Sequence, residues 1–313
     1  MISRDDLESA LSGDPEALDA HLDLIERDFE IDGCSVKAHC HCLLIDANGR
    51  IRLARLAEFM RNAAADYAIP RSVLAKAKER DRKWNSTEAV AALHDRARRS
   101  FTDLAKSGEG GEMLLFLLAE RFLKLPQILC KMDLKTDSRM HYHGADGVYA
   151  SVKEDGVLKL YWGESKIYSD PGSAIRDCLA SIAPFLAEND SADAERERDL
   201  FLLSDKADLT DPALNQALRS YFDKDSALST RVQYCGVALV GFDFGCYPAD
   251  GVKGIAAEIK KGVSAGLLDW KRKVGERVVK EGLENFEMEF FFLPLPSVDS
   301  FRSEFFKAMG FSV

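Results

Sequence analysis

The stretch GADGVYASVKEDGVLKLYWGESK, residues 144–166, decides how the centre of this chain folds. Two alternating runs flank a break at Glu154, Asp155 and Gly156, the pattern of a β-hairpin. The turn sets which residues face each other. A two-residue Asp155-Gly156 turn would place Val152 opposite Lys159 and Val148 opposite Gly163. That register mixes apolar and polar side chains on both faces, which a half-buried hairpin resists. A three-residue loop gives Gly156 the left-handed position such loops require. Val152 then opposes Leu158, Ala150 opposes Leu160, and Val148 opposes Trp162, all on one face. Tyr149, Ser151, Lys153, Val157, Lys159 and Tyr161 form the other. The apolar pattern selects this register.

The same register sets Asp146 opposite Glu164 on the core-facing side. Directly opposed residues have Cβ atoms about 4.5–5.5 Å apart. Lys166, two residues on, points to the same side about 6.6 Å along the strand. Facing carboxylates repel, and a divalent metal, a lysine, or both would remove that cost. Mg²⁺ prefers a few carboxylate oxygens together with water and phosphate oxygens. Charged strand ends are also common without any site, and an E-x-K triplet alone is weak evidence. His141 and His143, just upstream in HYHGAD, read as loop residues.

Working outward, residues 1–30 read as a short helical lead-in. SVKAHCHCLLID alternates as a strand and ANGR supplies an Asn-Gly turn. Helices are expected near 52–67, 70–84 and 86–105, the last capped by Ser86 or Thr87. KSGEGGE at 106–112 reads as a flexible break before the apolar helix EMLLFLLAERFLKL, and a boundary is placed there. This divides the chain into an N-terminal accessory region, 1–105, and a region 106–313 that ends in a helix-strand-helix extension. PQILCKMDLKT is a strand candidate. DPGSAIRDCLASIAPFLAE is helical, with Pro171 near its first turn. NDSADAERERD reads as an exposed acidic connector, and one or two helices follow. TRVQYCGVALVGFDF reads as a buried strand, residues 255–282 as a long helix interrupted near its glycines, and NFEMEFFFLPLP as another strand. A last helix ends at Gly310. This mixture indicates a sheet core covered by helices, α/β or α+β.

Of the 313 residues, 46% are apolar and 30% charged, a globular composition. No apolar run approaches the roughly 20 residues that span a bilayer. The polar, acidic start is no secretory signal. Seven scattered cysteines argue against a disulfide framework and for a reducing cytoplasm. A formal charge of −10 argues against a surface coated for nucleic acid, though not against a local basic groove. Residues 71–106 hold ten Lys/Arg against five Asp/Glu, and residues 253–280 hold eight against three. Such stretches are usually solvated helix faces. In HCHC, residues 39–42, His and Cys side chains point to opposite faces of a strand, so four zinc ligands do not converge there.

An apolar helix with an early Glu, then Asp at the start of a strand and E-x-K on the next, is similar to the PD-(D/E)XK nuclease core. The matching residues are Glu112 in GGEMLLFLLAERF, Asp146 in GADGVY, and Glu164 and Lys166 in GESK. Ala145 stands where that pattern usually has Pro. The core resemblance spans about 106–243. More narrowly, the GE helix, HGADGV and WGESK resemble the HamA family, nuclease subunits of the bacterial Hachiman anti-phage system, over most of the chain.

The resemblance implies a mixed central sheet flanked by helices, with a nuclease-like core and an N-terminal α/β accessory region. It implies a DNA nuclease beside HamB, a superfamily 2 helicase. Asp146 and Glu164, with Glu112, would hold one or two Mg²⁺ (Mn²⁺ as a substitute). The metal would activate water and neutralise charge on the phosphate. Lys166 would orient the water and stabilise the transition-state charge. Glu120 is a rival to Glu112 for the helix acid. Arg176 is a phosphate contact or, more simply, part of a solvated face. The alternative function is a non-catalytic nuclease-like subunit that binds and regulates a DNA-processing partner.

Overall fold

A computed structural model describes residues 2–101, 108–134, 144–187, 195–249 and 252–311. Six strands form one mixed sheet in the order β1-β2-β6-β5-β4-β3. They are β1 Leu22–Glu30, β2 Val36–Leu43, β3 Gly147–Val152, β4 Leu158–Ile167, β5 Val232–Asp243 and β6 Met288–Leu295. Strands β2, β6, β5 and β4 run parallel, and β1 and β3 close the two edges antiparallel. The helices are α1 Arg4–Glu8, α2 Leu53–Asn62, α3 Ala64–Ala68, α4 Arg71–Trp84, α5 Glu88–Ser100, α6 Glu109–Leu117, α7 Pro171–Leu186, α8 Glu195–Lys206, α9 Pro212–Arg219, α10 Ala256–Glu281 and α11 Val298–Met309. The result is the α/β sheet flanked by helices that the sequence led one to expect. Among the described residues, no helix is long and apolar enough to cross a membrane. All seven cysteines are unpaired.

The hairpin has the expected register. Val152 pairs with Leu158, Ala150 with Leu160 and Val148 with Trp162. Gly156 takes φ +80° in a three-residue loop closed by the Val157 carbonyl, which accepts from the Lys153 N–H. Both faces of the sheet are covered. On one, Trp162 stacks on Phe185 of α7 and Trp270 of α10 packs against Phe242 and Phe292. On the other, α6 crosses β4, and Phe122 meets Phe291, His39 and His41.

Four expectations are corrected and one is refined. Residues 22–30 form a strand: an edge strand rich in charge, with two register shifts and Asp28 at φ +54°. Such features blunt an edge and hide it from a periodicity test. PQILCKMDLKT makes one bridge to β3 and then a 3₁₀ turn at Lys131–Leu134, not a strand. Helix α10 runs unbroken through its glycines for 26 residues. Thr87 stands at the N-cap of α5 as expected, but the bonds come from its neighbours: Ser86 Oγ accepts the Glu88 N–H, and Asp81, on the preceding helix, accepts those of Ala89 and Val90. The acidic connector is not wholly exposed, because Asp199 is buried in α8; residues 188–194 lie outside the described residues, as do His141 and His143.

Candidate active site

Strand β4 ends where α6 and α11 meet, at the carboxyl ends of the parallel strands. Ligand sites of open α/β sheets gather at such ends. A cleft of about 200 Å³ opens there, lined among others by Glu112, Asp146, Ser165, Lys166, Tyr168 and Arg302. Asp146 extends the hairpin ladder one step past Gly147 and Gly163, its N–H donating to the Gly163 carbonyl at 2.8 Å. Its side chain is anchored too. Ser165 donates its backbone N–H and its hydroxyl to Asp146 Oδ2, each at 2.8 Å. Two donors on one oxygen fix the carboxylate's orientation.

Glu164 is 5% exposed and ion-pairs with Lys166. Burial, and then the charge of Asp146, pushes the Glu164 carboxyl up to about 8 despite Lys166. Burial also raises Asp146 above its ordinary range. Burial pulls the Lys166 ammonium down, but Glu164 and Asp146 outweigh it and hold it above its ordinary range. The two acids therefore resist ionising together. This crowding of oxygen donors fits a divalent cation, which favours both charged forms.

Glu112 reaches the cleft because two glycines let α6 press onto its neighbours. A Cβ on Gly111 would lie 2.9 Å from Ile167 Cγ1 and 3.1 Å from Ser165 Oγ, and one on Gly110 would lie 3.3 Å from Phe301 and Phe305. The segment expected to be flexible is a close-packing device at these two residues. Tyr67, fully buried on α3, donates its hydroxyl to Glu112 Oε2 at 3.1 Å. Glu120 is accounted for differently. It is 1% exposed, ion-paired with Arg71, and accepts from the N–H and hydroxyl of Ser12 and the N–H of Gln127. It ties three segments together and does not line the cleft. Arg176 is an exposed residue paired with Asp177.

Lys131, Tyr67, Ser165 and Arg302 were not singled out in the sequence. Lys131 donates to the Ala145 carbonyl, pairs with buried Asp199 at 3.1 Å, and lends positive charge to both Asp146 and Glu164. A lysine inside the apolar run ILCKM was the available signal. Tyr67 carries none, because its partner lies 45 residues away.

Among the described residues, Asp28, His39 and Glu289 form the trio whose ligand-type atoms all lie within 4.8 Å of one another. The cleft acids are not such a trio. His39 Nδ1 accepts the Asp28 N–H at 3.2 Å and Nε2 sits 2.8 Å from Glu289, so both ring nitrogens are engaged in joining β1, β2 and β6. His41 is buried between Phe122 and Phe291, and burial pushes it down to about 3. Neither histidine converges with Cys40 or Cys42 on a zinc site.

No curated protein matches the chain. A family model does: the HamA model matches residues 19–309, nearly the whole length, so the cleft and both halves of the sheet lie inside the match, and the chain belongs to the HamA family of the Hachiman antiviral defence system.

Proposed function

We propose that this chain is a metal-dependent DNA nuclease of the PD-(D/E)XK type, working with a helicase subunit, HamB. The observation that carries the reading is the cleft itself. It is lined by Glu112, Asp146 and Lys166, with Glu164 buried against Lys166 and its carboxyl pushed up to about 8 by burial and by Asp146. Asp146, Glu164 and Glu112 would hold Mg²⁺, with Mn²⁺ able to substitute. The cation would supply Lewis-acid stabilisation of the phosphate and a more acidic water.

The chain's own residues do the rest. Ser165 fixes Asp146 and Tyr67 orients Glu112, so the acids are held before substrate arrives. Glu164 keeps Lys166 charged and in place. The Lys166 ammonium orients the attacking water and donates to a non-bridging phosphate oxygen as negative charge builds there. Water breaks the phosphodiester directly, with no covalent bond to the enzyme.

The test is a plasmid-degradation time course in Mg²⁺. Glu164→Ala and Lys166→Ala should each lower the rate by about 100- to 1000-fold, the usual worth of one positioned electrostatic group. Lys159→Ala, an odd-numbered position on the other face of β4, should cut normally. Folded Glu164→Ala and Lys166→Ala proteins that cut at the wild-type rate would leave the non-catalytic, partner-binding reading in its place. The net charge of −10 further supports a division of labour in which the helicase subunit supplies most DNA affinity at physiological salt. Co-expression should yield a stable heteromeric complex, and tight DNA binding by the free chain would count against this assignment of roles.

A further inference from the structure

The cleft is lined by two acids, Glu112 and Asp146, with Glu164 buried beside them against Lys166, and the strand motif supplies one cation, Lys166. A phosphodiester entering it meets more negative than positive charge. Arg302 changes that balance. It stands on α11, outside the matched nuclease motif, and lines the same cleft as Glu112, Asp146 and Lys166. Its Nη2 donates to the carbonyl of Ile167 at 2.9 Å, one residue past Lys166. Its Nη1 lies 3.6 Å from Asp299, whose side chain is 94% exposed and so contributes little. A guanidinium carries five N–H donors in a planar fork suited to phosphate oxygens. The two contacts leave donors available toward the cleft. The mounting is rigid, since Phe301 and Phe305 on either side of Arg302 pack against Gly110 of α6.

We propose that Arg302 forms a phosphate subsite, binding a non-bridging oxygen of the phosphodiester that enters the cleft. The proposal rests on the nuclease reading above and adds the substrate feature that is recognised. Phosphate contacts position the strand without reading sequence. Recognition at this point is therefore of the nucleic-acid backbone, with no base preference.

The experiment measures binding and cleavage separately, using the full chain and a fluorescein-labelled mixed-sequence DNA duplex at low salt. Arg302→Gln keeps an N–H donor for the Ile167 carbonyl and removes the charge. It should melt like wild type, weaken duplex binding by about tenfold or more, and flatten the log-log salt dependence by about one. Arg302→Lys should fall between the two. In cleavage, the loss should appear mainly in KM, equally on two duplexes of unrelated sequence. A folded Arg302→Gln protein with wild-type affinity and salt slope overturns the proposal, as does a wild-type chain that binds no duplex at low salt. The outcomes separate the two readings. Loss of binding in Arg302→Gln with no cleavage by wild type leaves the subsite and removes the nuclease. Unchanged binding in Arg302→Gln with cleavage abolished in Glu164→Ala does the reverse.

Discussion

Glu112 and Glu120 lie on one helical run, eight residues apart, and a sequence pattern cannot rank them. Their surroundings can. Glu120 is sealed from water among four donors, and removing it leaves the largely buried Arg71 guanidinium without its counter-charge. Breaking one side of a buried pair costs about 3–5 kcal/mol. Glu120→Ala should therefore lower the melting temperature by about 10 °C. Glu112→Ala should melt within about 3 °C of wild type yet lose cleavage. Equal melting temperatures for the two variants would sink this division of roles. Glu164 adds a pH dependence. Its folded value, about 8, lies above the ordinary 4.5, so between these the folded state keeps a proton that the unfolded chain releases. Stability of the metal-free protein should accordingly fall as pH rises through that window. Lys166, raised above its ordinary range, stays charged throughout it and adds no slope. Melts in EDTA from pH 5 to pH 9 should show the decline in wild type and a flatter profile in Glu164→Gln. Mg²⁺ at pH 8 should restore wild type more than the variant. Parallel profiles in EDTA would contradict the placement of Glu164 against Asp146.

At the scale of elements, legibility followed the range of the contacts. The β3–β4 register was readable because a hairpin is local: Gly156 and the apolar alternation determine it within 23 residues. The placement of Asp146 beside the Glu164-x-Lys166 motif came with it. Strand β1 was not readable, since its charges suit an edge and its pairing is broken by register shifts. Glycine misled twice, within α10 and at 110–111. In isolation a glycine signals freedom; here its missing Cβ lets elements approach closely. Gly111 tests this directly. Alanine there would press a methyl group against Ile167 and against the Ser165 hydroxyl that holds Asp146. Overpacking of this kind costs about 1–3 kcal/mol. Gly111→Ala should lower both the melting temperature and cleavage, whereas Gly282→Ala, with open space around its Cβ but a φ of +69°, should cost stability alone. Wild-type cleavage by Gly111→Ala would mean that the seating of α6 does not set the cleft.

At the scale of the whole molecule, the expected boundary near residue 105 meets a sheet that crosses it. Strand β2, from the first hundred residues, lies hydrogen-bonded between β1 and β6, parallel to β6 from Val36 opposite Met288 to Cys40 opposite Phe292. Sequence reading missed this because a parallel pairing across some 250 residues leaves no local periodicity. The site depends on the same long-range contacts. Tyr67 holds Glu112, and Arg71 neutralises buried Glu120, each from the N-terminal side. A fragment of residues 106–313 would expose one backbone edge of β6 and the apolar surface around Phe291. It would also leave Glu120 without Arg71 and Ser12, and the Glu112 carboxylate without Tyr67. Unpaired edges of this kind favour association over folding. The fragment should therefore lack a cooperative thermal transition and the near-ultraviolet signal of packed aromatic side chains, and should aggregate on purification. Supplying residues 1–101 on a separate chain should restore solubility if the sheet can be completed in trans. A monomeric 106–313 fragment that melts cooperatively and cleaves DNA in Mg²⁺ would show that the first hundred residues are an appendage, and that the sheet continuity across them carries no part of the fold's stability.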